Sequence, residues 1–198
     1  MGQPGSQPKI INLTDEVTQN LVGKTHFTED EIKVLYKRFQ KLSASQVNDG
    51  VIDINEFQTA LGIQNAQFAQ RIFSAFDADS NQTIDFEEFV SGLSALTNRA
   101  SISEKAKLCF DIYDIDKNGR ITKDELKEVL QLSLGGHTAV HLSDEQLQRI
   151  IDRTFTQMDA NRDGEISLEE FEAAAVKNPS ILNCVNLKVD VFVDDDSE

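Results

Sequence analysis

The 198-residue chain has no tryptophan, two methionines, two cysteines and no apolar run of the 18 or so residues that reads as a membrane span. Cys109 and Cys184 are not paired by anything in the sequence, and Cys109 falls inside a helical pattern that favours a buried thiol. His26, His137 and His141 lack metal-ligand spacing and are expected at the surface. Bases are scarce: 19 Lys and Arg stand against 34 Asp and Glu, a formal net charge of −15. Nucleic acid, whose phosphates demand the opposite sign, is excluded as a partner. No signal-peptide-like apolar stretch is found, so a soluble, cytoplasmic protein is expected. Nucleophile–base pairs and phosphate loops are missing too, which argues against an enzyme.

What the chain has in quantity is acid, and the acid is spaced. Asp114, Asp116 and Asn118 fall at positions 1, 3 and 5 of a twelve-residue loop, Arg120 offers a backbone carbonyl at 7, and Glu125 closes it at 12. Gly119 at position 6 permits the sharp turn that faces both halves to one ion. A hard cation such as Ca²⁺ takes six to eight oxygens at roughly 2.3–2.6 Å, and this spacing supplies them. The device recurs at 159–170, with Asp159, Asn161, Asp163, the carbonyl of Glu165, and Glu170. Calcium is the expected ion, with Mg²⁺ its competitor at resting calcium.

Core residues locate each repeat independently of the ligands. Phe110 and Tyr113 stand four residues and one residue before Asp114; Phe155 and Met158 hold the same offsets before Asp159, and Phe73 and Phe76 before Asp77. Leu126, Phe171 and Phe89 follow the closing Glu of each loop, and position 8 is Ile121, Ile166 or Ile84. Spacings of three and four put the aromatics on one helix face. The isoleucines suit a short antiparallel strand that pairs neighbouring loops.

The loop at 77–88 offers Asp77, Asp79, Asn81, the carbonyl of Thr83, and Glu88, but carries Gln82 where glycine is expected. A left-handed residue with a Cβ costs on the order of 1 kcal/mol, enough to weaken binding without abolishing it. Upstream, Gly50, Ile52, Glu56 and Phe57 fit a fourth unit. Counting back twelve from Glu56 starts that loop at Ser45, puts Val47 at a ligand position and drops the core offsets onto Lys41 and Ala44. Starting at Ser43 restores Phe39 and Leu42, so the loop is read as Ser43–Glu56, two residues longer than the others. Two readings of it stand open: a site using Ser43, Asp53, Glu56 and backbone carbonyls, or an ion-free loop kept for pairing with its neighbour.

Capping-box spacings at Thr28…Glu31, Ser101…Glu104 and Ser143…Gln146 mark helix starts. The expected fold is all-α: two lobes of paired helix–loop–helix units, short strands between paired loops, and a C-terminal helix after Asn178-Pro179 with Ile181, Leu182 and Val185. Boundaries are placed at 1–25 for an N-terminal segment, 26–98 and 99–178 for the two pairs, and 179–198 for the terminal helix and acidic tail. Thr97–Ser101 is the linker between pairs, and Gly135-Gly136-His137 breaks the second pair.

Over about residues 26–189 the chain resembles the calcineurin B-like EF-hand calcium sensors, within the wider group that holds calcineurin B and the neuronal calcium sensors. The resemblance rests on the long first loop in Lys41-Leu42-Ser43 to Glu56-Phe57, on Phe73-Ser74-Ala75-Phe76-Asp77, and on Asn178-Pro179-Ser180-Ile181-Leu182. It implies a calcium sensor that grips an amphipathic segment of a protein kinase; calcineurin B-type relatives instead clamp a helix of a phosphatase catalytic subunit. The chain departs from the plant sensors in its better-formed third and fourth loops and in an acidic tail without their Phe-Pro-Ser-Phe motif. A plain calcium buffer is the competing expectation, and it would bind ions without exposing apolar surface. Met1-Gly2-Gln3-Pro4-Gly5-Ser6 matches the pattern for N-myristoylation on Gly2. One such chain gives marginal binding, about 10⁴ M⁻¹, so membrane contact is expected to be reversible.

Overall fold

The computed structural model describes residues 12–45, 49–134 and 143–184. Gly2, Val47, Val185 and the acidic tail lie outside the described residues. Two compact units emerge: residues 12–62 with Phe73–Ala100, and Ile63–Ile72 with 101–184.

In the first unit, α1 (Asp15–Lys24) precedes α2 (Glu29–Leu42), α3 (Ile54–Leu61) and α5 (Phe86–Leu96); α4 (Ala66–Phe76) contributes its last turn here and its first turns to the second unit. The expected N-terminal segment, residues 1–25, contains α1. Thr14 caps α1 by accepting from Val17 N at 3.3 Å, Asp15 and Glu16 sit at its positive end, and Lys24 sits at its negative end. The predicted capping box of Thr28 and Glu31 opens α2, and Gly62 closes α3 in the left-handed conformation.

With no tryptophan, phenylalanines build this core. The Phe57 ring meets Phe73 and Phe76 edge-on, at 5.5 and 5.3 Å between centroids, and Tyr36 meets Phe86 at 5.0 Å. Ser43 ends α2, with Phe39 buried, Leu42 half-buried, and Lys41 and Ala44 exposed, which is the register chosen from the core offsets. Ile52 and Ile84, both fully buried, exchange two backbone hydrogen bonds of 2.9 Å as an antiparallel bridge between loops. Beyond α5, the guanidinium of Arg99 donates to both carboxylate oxygens of Glu31, at 2.5 and 3.1 Å, and lies 5.7 Å from the centroid of the Phe27 ring.

The second unit holds α6 (Ile102–Tyr113), β1 (Arg120–Ile121), α7 (Lys123–Leu134), α8 (Asp144–Met158), β2 (Ile166–Ser167) and α9 (Leu168–Lys177). The capping boxes of Ser101 and Ser143 start α6 and α8 as their spacing predicts. β1 and β2 pair antiparallel, Arg120 opposite Ser167 and Ile121 opposite Ile166. The core offsets are buried throughout: Phe110, Tyr113, Leu126, Phe155, Met158 and Phe171 are each 5% exposed or less. Buried Cys109 is a free thiol. The expected terminal helix is present as 3₁₀ turns, Pro179–Cys184, packed against α6 and α9. Asn178 starts it by accepting from the Ser180 hydroxyl at 2.6 Å, and the Cys109 sulfur lies 3.6 Å from the Leu182 carbonyl oxygen. His26 is half-buried rather than on the open surface, its N–H donating to Ser94 Oγ at 2.9 Å.

Two helical glycines make opposite demands. A Cβ at Gly92 in α5 would run into the ring of Phe76, whereas one at Gly23 in α1 would meet nothing within 4 Å. Gly92→Ala is expected to destabilise by about 1–2 kcal/mol, overpacking outweighing the gain in helix propensity. Gly23→Ala is expected to stabilise by about 0.5–1 kcal/mol. Denaturant unfolding of the ion-free protein checks both.

Candidate metal centres

Each loop is organised by side-chain oxygens that accept backbone N–H groups. In the loop at 77–88, Asp77 at the end of α4 accepts from Asn81 N at 3.0 Å and from Gln82 N at 2.9 Å. The loop at 114–125 repeats this, Asp114 accepting from Asn118 N at 3.0 Å and Gly119 N at 2.8 Å. Asn81 and Asn118, at position 5, accept from the N–H of Thr83 and of Arg120, both at 2.8 Å. These bonds bend the chain around a point and turn the carboxylates inward. Asp77, Asp79 and Glu88 each bring an oxygen within 4.8 Å of the others, as do Asp114, Asp116 and Glu125.

The loop at 159–170 has the same scaffold with a different distribution. Asp159 accepts from Gly164 N at 3.1 Å, Asn161 from Asp163 N at 2.8 Å, and Asp163 from Glu165 N at 3.0 Å. Among the described residues no tight carboxylate triplet forms here, where Asn161 stands at the third position in place of an acid. Instead Asp159 Oδ1 is buried without a hydrogen-bond partner. A buried acceptor left unmatched carries a desolvation cost that a bound cation removes. With an all-oxygen donor set around it, the site fits a hard cation.

The closing glutamates do more than ligand spacing alone predicts. Glu88, Glu125 and Glu170 each accept, through Oε1, from the N–H groups at positions 2 and 3: Ala78 and Asp79, Ile115 and Asp116, Ala160 and Asn161. Through Oε2 each accepts from the N–H at position 9, namely Asp85, Thr122 and Ser167, at 2.9, 2.8 and 3.0 Å. Asp85 and Ser167 cap α5 and α9 in return, and Thr122 Oγ1 accepts from Glu125 N at 3.3 Å. Counting ligands passes over these position-9 residues, although each shows the Ser/Thr/Asp-x-x-Glu spacing that marks the other helix starts.

The first loop is built differently. Buried Ser43 donates to the Gln40 carbonyl at 3.4 Å. Ser45 Oγ donates to Glu56 Oε1 at 3.2 Å, and Asp53 accepts from Asn55 N and Glu56 N at 2.8 and 2.9 Å as cap of α3. Asp53 and Glu56 thus form a capping box like those of the other loops, with a serine hydroxyl on Oε1 where backbone N–H groups sit elsewhere.

The electrostatics differ between loops. Burial raises the pKa of Glu88, with the charges of Asp85 and Asp79 adding to it. Burial likewise raises that of Asp114, helped by the charges of Glu125 and Asp116. Glu170 is lowered, chiefly by the hydrogen bond from the Ser167 N–H. Arg120 also brings a cation to the fourth loop, its guanidinium 3.9 Å from Asp163 Oδ2.

Models of the EF-hand domain pair match residues 48–96 and 103–176. The chain is 43% identical over 159 residues to the calcineurin B protein of Candida glabrata, an alignment covering 80% of this chain and 87% of that one. It is 38% identical over 172 residues to the calcineurin B protein of Schizosaccharomyces pombe, covering 87% and 90%. With the type 2 calcineurin B protein of Bos taurus it shares 38% over 149 residues, covering 75% and 84%. All three relatives are named as subunits of calcineurin.

A carboxyl whose pKa is raised takes up its proton at a higher pH than an ordinary carboxylate does, and in that range the proton competes with a cation for the oxygen. Without the ion, Glu88 and Asp114 therefore subtract stability as pH rises through their range, since the folded state binds more protons there than the unfolded one. Acidification is expected to release calcium from the loops at 77–88 and 114–125 at a higher pH than from 159–170, where Glu170 keeps its charge longer. Loop amide shifts followed by NMR during acid titration of the calcium-loaded protein check the order.

Proposed function

The chain belongs to the calcineurin B family of EF-hand calcium-binding proteins, and from that premise we propose that it is the calcium-binding regulatory subunit of a calcineurin-type phosphatase. Members of this family are regulatory rather than catalytic, and their EF-hand loops bind Ca²⁺. The observation that carries the reading is the identity of 38–43% to calcineurin B proteins, over most of both chains. The kinase-directed reading has less behind it, since these relatives carry the name of the phosphatase.

Calcium is held in the second loop by Asp77, Asp79, Asn81, the carbonyl of Thr83, and Glu88. In the third it is held by Asp114, Asp116, Asn118, the carbonyl of Arg120, and Glu125; in the fourth by Asp159, Asn161, Asp163, the carbonyl of Glu165, and Glu170. In the first loop Ser43, Asp53 and Glu56 are the ligands of one reading, and the other is an ion-free loop kept for its pairing through the Ile52–Ile84 bridge. Sensor loops bind with dissociation constants of about 10⁻⁷–10⁻⁵ M, or roughly 7–10 kcal/mol per ion. An ion that engages Glu88, Glu125 or Glu170 pulls on the residue that also caps the exit helix, and so biases the helix pair toward an open arrangement. The opened face, made of Leu, Ile and Phe with Met158 the one internal methionine, takes an amphipathic helix of the catalytic subunit. Residues 26–98 and 99–178 act as the two pairs, and a myristoyl group on Gly2 adds reversible membrane contact.

The purified chain is expected to retain a calcineurin catalytic subunit and to raise its phosphatase activity with calcium. Capture of a kinase alone would move the chain to the other regulatory class. No calcium-dependent exposure of apolar surface would make it a buffer. Intact mass of the native protein is expected to show a myristoyl adduct on Gly2, and its absence removes the membrane role.

A further inference from the structure

We propose that the backbone of Gln82 sets the calcium threshold of the second loop. The residue six before the closing Glu, position 6 of the twelve-residue loops, is left-handed in all four: Gly50 at φ +78°, Gln82 at +69°, Gly119 at +81° and Gly164 at +89°. Three of the four are glycine, for which this region is open; Gln82 carries a Cβ that crowds its own carbonyl there. Position 4 offers a control inside the same molecule. Ser80, Lys117 and Arg162 are all left-handed, at +57°, +56° and +64°, so position 4 does not distinguish the second loop from the third and fourth. The difference in left-handed residues among these three loops is confined to position 6.

The strained conformation is tied to the first ligand. Gln82 N donates to Asp77 Oδ2 at 2.9 Å, as Gly119 N does to Asp114 and Gly164 N to Asp159. Because the loop is anchored by a helix at each end, relaxing Gln82 to negative φ redirects the chain after it, and the compensating rotation of the 81–82 peptide turns this N–H away from the Asp77 carboxylate. Calcium requires that carboxylate, so binding restores the strain. The rest of the donor set is complete, with Asp77, Asp79 and Glu88 already within 4.8 Å of one another. The Gln82 side chain is exposed, which leaves the backbone as its route of action. Gln82 thus works as an affinity-setting residue that touches no ion.

The inference rests on the reading of 77–88 as a calcium site, and the test separates the two. Full-length protein and its Gln82→Gly, Gln82→Asn and Gln82→Ala variants are titrated with Ca²⁺, and amide shifts in 77–88, 114–125 and 159–170 are followed by NMR. Gln82→Gly is expected to tighten the second loop by roughly three- to tenfold, the gain trimmed by the greater freedom of glycine in the ion-free loop. Asn, which tolerates the left-handed region, is expected to give a smaller step, and Ala none. The third and fourth loops should be unchanged. Equal affinity for Gly and Gln, or an Ala variant as tight as Gly, overturns the proposal. Lack of any calcium-dependent shift in 77–88 in all four proteins overturns the calcium reading of that loop, and the proposal with it.

Discussion

One carboxylate joins the two ends of each of the last three loops. The closing glutamate reaches back with Oε1 to the N–H groups just after the entering helix, and with Oε2 it holds the N–H of the residue that starts the exiting helix. Everything else in the loop hangs on this span. It sets the distance between helices, aims the ligand at the centre, and satisfies helix-terminal donors that would otherwise be unpaired. An ion that recruits this carboxylate necessarily acts on both helices, because the group already belongs to both.

Around that span the molecule concentrates negative charge. Many acids, such as Asp15, Glu29, Asp144 and Glu145, lie exposed, but others are drawn together at Asp77, Asp79 and Glu88 and again at Asp114, Asp116 and Glu125. Backbone N–H groups offset part of the repulsion, and burial adds to it, as the raised Glu88 and Asp114 show. The fourth loop solves the problem otherwise. An asparagine replaces one acid, Arg120 stands near Asp163, and the remaining frustration is a single buried oxygen of Asp159. Three loops with one pattern therefore present an ion with two different electrostatic backgrounds.

Much of this is legible in the residues. The offsets of Phe39 and Leu42 fix the start of the long loop at Ser43 against a count that favours Ser45, because a core offset that falls on Lys41 has no apolar side chain to bury. The isoleucines at position 8 announce both loop pairings. What stays hidden has physical reasons. α1 buries only Thr18 and Leu21, so it leaves no apolar period to read. Asp85, Thr122 and Ser167 look like spacers when ligands are counted, and their role is visible only once the glutamate's second oxygen is placed. The terminal segment reads as an α-helix from Asn178-Pro179, but six residues are easily accommodated as 3₁₀ turns. The lone oxygen of Asp159 depends on burial, which spacing does not encode.

The two loop pairings differ in extent. Loops three and four share a ladder of two residue pairs, Arg120 with Ser167 and Ile121 with Ile166. Among the described residues, loops one and two meet at a single bridge, that of Ile52 and Ile84. A two-rung ladder resists rotation between its strands, while a single bridge acts more like a pin. A rotation at one loop of the second unit is thus expected to carry to its neighbour more fully than in the first unit, where twist about one pair of isoleucines absorbs part of it.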